Sequence, residues 1–179
     1  LSPHVVEALS RGPQPEPLLT DRADVSAFIR TASEPTEDGY AVCRDGSIRV
    51  AVRTPMPGVT PEMWAWWFAW HGSDSRRYKL WHPRAHVSAE WADGAGEGDF
   101  VGRTSIVREY LGSTFFHAAI RFVPPAEFGI DHVPDGELAV CARLGDATRP
   151  VDGGWFVHHI RPTADGAEMR SRFWMGGSH

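Results

Sequence analysis

The chain has 179 residues, with 23 Asp plus Glu against 18 Lys plus Arg, giving a formal net charge of −5. A charged fraction of 23% beside a hydrophobic fraction of 42% belongs to a folded chain rather than a disordered tail, and the length suits one domain with a single core. The acidic balance argues against nucleic acid as a partner, no apolar run reaches the roughly 20 residues of a membrane helix, and Cys43 and Cys141, without CxxC spacing, read as reduced thiols of a cytoplasmic protein.

Residues 1–38 are rich in proline (Pro13, Pro15, Pro17, Pro35) and read as an irregular N-terminal strap with one helical turn near Ala23–Arg30. Residues 39–179 read as a single domain. Tyr40–Cys43 and Ile48–Arg53 flank Asp45-Gly46, a strong hairpin signal because Gly accepts the positive φ of a tight turn. Pro55 and Pro57 are expected to break the second strand. Thr60-Pro61-Glu62 then opens a helix that runs to His71 and stops at Gly72, with Thr60 as N-cap and Pro61 in the first turn. Four of the eight tryptophans lie between Trp64 and Trp70. Met63, Trp66, Trp67 and Trp70 recur at helical spacing, which predicts a buried face or an indole-lined pocket wall.

Arg76–Trp81 reads as a short strand, and Pro83 as the start of a helix that places His82 and His86 one turn apart. Residues 92–99 read as an acidic loop. Strands are expected at Ser105–Leu111, Thr114–Val123, Glu137–Leu144, Trp155–Arg161 and Ala167–Trp174, separated by Gly- and Pro-rich turns. Two early strands, a helical stretch and five later strands predict an α+β fold, an antiparallel sheet gripping the Trp-rich helix.

Nine histidines are the richest source of chemistry. His82 and His86 could share a metal; His158 and His159 point to opposite faces of a strand; His117 reads as a satisfied core residue. Glu109 interrupts an apolar strand, where a carboxylate is costly unless paired or metal-bound. Glu168, Arg170, Arg172 and Trp174 share one face, which reads as a solvated ladder of cross-strand ion pairs. No GxSxG, P-loop or GxGxxG is present, so nothing supports a serine hydrolase elbow or a nucleotide cradle.

The runs Met56-Pro-Gly-Val-Thr-Pro-Glu-Met-Trp-Ala-Trp-Trp-Phe-Ala-Trp-His71 and Arg77-Tyr-Lys-Leu-Trp-His-Pro-Arg-Ala-His86 resemble signatures of the diacetylphloroglucinol hydrolase family. So do Glu109-Tyr110-Leu-Gly112, Val140-Cys-Ala-Arg143 and Gly166–Trp174. The resemblance implies a Bet v 1-like helix-grip fold and a zinc-dependent hydrolase that cleaves a carbon–carbon bond between an acyl group and a polyphenol ring. It implies His86 as a zinc ligand, with His82 as second choice, Glu109 as another ligand, and Tyr78 as a partner of a substrate hydroxyl. The family's remaining His and Glu belong to a His-Cys-x-x-Glu segment on a long C-terminal helix. This sequence carries no such segment, so His159 or Glu168 is the alternative completion of the shell. The start at Leu1 and the stop just after a patterned strand favour a truncated chain, and the strand edges an absent helix would leave favour a homodimer. The competing expectation is a non-catalytic helix-grip module that holds a small aromatic or hydrophobic molecule.

Overall fold

The computed structural model describes residues 1–94, 96, 98–149 and 152–176. Ala95 and Glu97 of the expected acidic loop, and His179, lie outside them. Four α-helices, α1 (Pro3–Ser10), α2 (Val25–Arg30), α3 (Pro61–His71) and α4 (Ser75–Trp81), accompany eight strands. The strands are β1 (Gly39–Val42), β2 (Ile48–Pro57), β3 (His86–Trp91), β4 (Thr104–Leu111), β5 (Thr114–Val123), β6 (Leu138–Asp146), β7 (Asp152–Thr163) and β8 (Gly166–Met175). They form one antiparallel sheet in the order β1-β2-β8-β7-β6-β5-β4-β3, so the fold is α+β.

The hairpin forms where Asp45-Gly46 predicts it, with Gly46 at φ +83° and Val42 opposite Ile48. Beyond it, β2 does not stop at Pro55 but pairs with β8 through Pro57. The reason is local: β1 covers β2 only as far as Ala51, so both prolines lie on a stretch with one open side, where a missing N–H costs no ladder bond. α3 starts as expected, with the Thr60 hydroxyl accepting from the Met63 N–H at 3.3 Å.

Three further expectations are overturned between α3 and β3. Arg76–Trp81 is helical, not a strand: Asp74 caps α4 by accepting from the Arg76 N–H at 2.8 Å, a start signal that outweighs the short alternation. His86 is not on a helix after Pro83 but opens β3, following a turn in which its N–H bonds the His82 carbonyl at 2.9 Å. On α3 the core-facing stripe is Trp64, Phe68 and His71 rather than Met63, Trp66, Trp67 and Trp70; Met63 and Trp66 are 52% and 57% exposed. Both stripes of this helix are apolar, so periodicity alone cannot choose between them.

Alternation along β7 divides the molecule in two. Phe156, His158 and Ile160 face α3, where Phe68, Phe122, Val140 and Met169 build the main core. Val157 and His159 face the opposite side, covered by Val25, Phe28 and Ile29 of α2 and by Phe128 and Ile130. This second side also takes Arg170 and Arg172, which are 0% and 2% exposed, so the predicted solvated ladder is buried. Glu37 of the N-terminal segment accepts from both guanidiniums, and Arg161 pairs with Glu168. Burial is tolerable because each charge finds a partner as it leaves water.

Candidate functional site

The site is assembled where α4, β3 and β4 meet. α4 turns Tyr78 inward, and the residue is 3% exposed among Ala89 and Val107. The chain reverses through residues 82–85, and His86 enters the sheet directly opposite Glu109 of β4. Opposed residues of an antiparallel pair project to the same side, so imidazole and carboxylate meet. The register shifts between His86 and Ser88, which bends β3 at this point.

His86 Nε2 and Glu109 Oε2 are 3.6 Å apart. His86 Nδ1 is 2.9 Å from the Tyr78 carbonyl oxygen. A carbonyl only accepts, so Nδ1 carries the proton and the neutral ring presents the Nε2 lone pair toward Glu109. Burial lowers the His86 pKa, more than the nearby Glu109 charge raises it, and so favours this neutral form. The Tyr78 ring lies 3.8 Å from the His86 ring at an interplanar angle of 2°. Its hydroxyl donates to Glu109 Oε2 at 2.5 Å. Burial first, and the Glu109 charge second, drive the Tyr78 pKa far above its ordinary value of 10, so the phenol keeps its proton.

The three residues singled out from the sequence, Tyr78, His86 and Glu109, are therefore in mutual contact. Tyr78's hydroxyl is committed to Glu109. His82 is exposed and stands 5.8 Å from His86, ring centroid to ring centroid. His159 and Glu168 do not join them: they face the other side of the sheet, bonded to Glu137 and Arg161 respectively. Among the described residues no group of three or more His, Cys, Asp or Glu side chains is placed to hold a metal.

One residue escapes the sequence reading and a second departs from it. His71 is 3% exposed, donates Nδ1–H to the Trp67 carbonyl at 2.8 Å, and stacks between Trp67 and Tyr78. Burial pushes its pKa down to about 4, so a neutral imidazole backs the Tyr78 ring. The only sequence signal was its place at i+7 from Trp64. His117 is not the satisfied core histidine expected: its Nε2 is buried with no hydrogen-bond partner among the described residues. It lines, with Glu109, Phe116, Ile120, Leu144 and Asp146, a cleft of about 480 Å³ beside the His86–Glu109 pair.

Comparison with known proteins follows this geometry. A family model described as the DAPG hydrolase PhiG domain matches residues 18–179. A 2,4-diacetylphloroglucinol hydrolase of Pseudomonas protegens is 29% identical over 187 aligned positions, covering 96% of this chain and 61% of its own length. A second protein of that name, from a Pseudomonas species, matches at 29% identity over 63% of its length. A phloretin hydrolase of Eubacterium ramulus is 35% identical over 156 positions, 77% of this chain and 54% of its own. The chain thus spans about three fifths of the length of the curated relatives it matches.

Proposed function

Since the chain belongs to the DAPG hydrolase PhiG domain family, we propose that it carries the hydrolysis of a carbon–carbon bond between an acyl group and a polyphenol ring. The relatives' names supply the substrate class, an acylated phloroglucinol-type phenol. The same reading extends to a helix-grip architecture of the Bet v 1 kind, supported by the antiparallel sheet with α3 packed on one face.

One observation carries the chemistry: two lone-pair donors, His86 Nε2 and Glu109 Oε2, face each other at 3.6 Å with no proton to share. At that separation they make no hydrogen bond, whereas a cation between them would satisfy both. The donor set, one imidazole nitrogen and one carboxylate oxygen, fits zinc, and the Tyr78 carbonyl fixes the imidazole tautomer as an outer-shell acceptor does in metal sites. His86 and Glu109 would hold the ion. When bound, zinc polarises a carbonyl and lowers the pKa of water toward about 7.

The reaction adds water across the ring–acyl bond: hydroxyl ends on the acyl carbon and a proton on the ring carbon. The chain's residues prepare for that exchange. Tyr78 holds one Glu109 oxygen by its hydroxyl and the His86 ring by its face, so both donors keep one orientation. Because its proton is retained far above neutral pH, Tyr78 acts as a hydrogen-bond donor and not as a base. The aromatic and aliphatic walls of the adjoining cleft offer apolar surface to the face of a phenolic ring.

A second reading has one observation in its favour. A catalytic zinc takes about three protein ligands, and two are present among the described residues, as suits a carrier of an aromatic ligand. Elemental analysis after dialysis, paired with a hydrolysis assay on an acylphloroglucinol, tests both. Retained zinc that is lost in His86→Ala and Glu109→Gln, together with turnover, supports the hydrolase. Turnover that survives both substitutions refutes the assignment, and ligand binding without zinc or turnover selects the carrier.

A further inference from the structure

Four rings stack in series from the Trp-rich helix to the donor pair. His86 faces Tyr78 at 3.8 Å and 2°, Tyr78 faces His71 at 5.8 Å and 26°, and His71 faces Trp67 at 5.5 Å and 7°. The series crosses three elements, since Trp67 and His71 are on α3, Tyr78 on α4 and His86 on β3. His71 is its fixed point. The Nδ1–H bond to the Trp67 carbonyl at 2.8 Å holds the imidazole plane, and Phe68 and Trp81 meet the ring edge to face at 5.7 and 6.4 Å. The backbone is held as well, because a Cβ at the next residue, Gly72, would lie 2.6 Å from the Trp91 ring of β3. Tyr78, by contrast, sits on a helix of seven residues, too short to hold its shape without outside support.

We propose that His71 is a positioning residue for the donor pair: its flat face, locked to the end of α3, sets the plane of the Tyr78 ring and through it the orientation of His86 and Glu109. The proposal deepens the reading of that pair as the holder of zinc and rests on it. Among the described residues neither a hydrogen bond nor a ring contact joins His71 to His86 or Glu109, so its influence passes through Tyr78. That residue reaches both donors: its carbonyl takes the His86 Nδ1–H, its hydroxyl donates to Glu109, and its ring covers the His86 face. A flat ring restrains the tilt of the ring it faces as well as its distance, whereas an aliphatic chain of similar volume restrains distance alone. His71 also brings no charge, because burial lowers its pKa to about 4. A permanent cation behind Tyr78 would oppose a metal ion at the pair.

The test separates face from volume. His71→Leu fills the space with an aliphatic chain, His71→Met does so with one that adapts where leucine disturbs packing, and His71→Phe restores a flat ring. Zinc affinity of the full chain is measured by competition with a chromophoric chelator, and the His86 tautomer by ¹⁵N NMR of the metal-free chain near neutral pH. The wild type should carry the His86 proton on Nδ1 alone. The aliphatic variants should bind zinc about tenfold more weakly, the lower end of what losing an outer-shell partner costs, and should mix the two tautomers. His71→Phe should stay within about threefold of the wild type and keep the single tautomer. A purely structural role would lower the urea stability of the metal-free variants without moving the tautomer, and that result overturns the proposal. So does wild-type zinc affinity in an aliphatic variant, or a phenylalanine variant as weak as the aliphatic ones. A wild type that binds no zinc, with the tautomers changing as expected, sinks the metal reading and keeps the ring series. Zinc held equally by all four proteins, with one tautomer throughout, does the reverse.

Discussion

Replacing Glu37 by Gln should unfold the N-terminal segment from the sheet at a cost large enough to measure in a simple urea titration. Glu37 accepts from Arg170 Nη2 at 2.8 Å, from Arg172 Nη2 at 2.6 Å and from Arg170 Nε at 3.3 Å, and it takes the Glu34 N–H at 2.8 Å. The guanidiniums are essentially inaccessible, and each stands over the Phe28 ring, at 4.4 and 4.5 Å. Their remaining acceptors, the Thr31 carbonyl and the Thr20 hydroxyl among them, are neutral. Removing the carboxylate strands two buried cations, and breaking a buried ion pair costs about 3–5 kcal/mol. For a chain of this size that is a fall in Tm of roughly 6–20 °C at about 2–4 °C per kcal/mol. A loss below about 1 kcal/mol would refute the claim that these charges depend on Glu37. Burial raises the Glu37 pKa, but the two arginines outweigh it and hold the pKa at about 2. The carboxylate's contribution is therefore complete above pH 4.5 and is lost only as pH falls from 4.5 toward 2.

The other predictions concern single sites. His158 is buried, with Nδ1 2.7 Å from the Ser171 hydroxyl, and burial lowers its pKa from 6.5 to about 4. The unfolded chain then binds the extra proton, so His158 should contribute roughly 3 kcal/mol to the fall in stability as pH drops from 6.5 through 4, and His158→Gln should remove that share of the slope, leaving the share of His71, in denaturant titrations. Thr60→Ala removes the cap of α3 and should lower stability by about 1 kcal/mol in the same assay. Gly72→Ala places a methyl 2.6 Å from the Trp91 ring; with Trp91 buried, the overpacking should cost about 1–3 kcal/mol and change the indole fluorescence.

How much could be read from the sequence follows from where the signal lay. The hairpin at Asp45-Gly46, the capped start of α3 and the strands from Thr104 onward carry strong local chemistry, and each formed within a few residues of its expected place. α4 and β3 are short, and their starts depend on Asp74 and on the turn at 82–85, details that weigh little in a periodicity count. Which stripe of α3 faces inward was undetermined by pattern, because indoles occupy both. Arg170 and Arg172 looked solvated because their partner, Glu37, lies more than 130 residues earlier in the chain. The meeting of Tyr78, His86 and Glu109 depends on a cross-strand register and a bend in β3; His86 and Glu109 stand out in the sequence and Tyr78 through resemblance, and only coordinates show their contact.

The sheet order also makes the two polar centres independent, which can be tested directly. Arg170 and Arg172 are on β8 and Glu109 is on β4, four steps apart in the order β8-β7-β6-β5-β4. At about 4.8 Å per step the separation is about 19 Å, and the centres lie on opposite faces with the main core between. Sites so far apart that share no partner add within about 0.5 kcal/mol. The double variant Glu37→Gln/Glu109→Gln should therefore lose the sum of the two single losses in unfolding free energy, and Glu37→Gln alone should leave the zinc retention proposed for His86–Glu109 unchanged below the unfolding transition. A coupling well above 0.5 kcal/mol, or zinc lost from folded Glu37→Gln protein, would mean that the N-terminal segment shapes the β3–β4 edge through the sheet. The strap would then be part of the site rather than a cover on its far side.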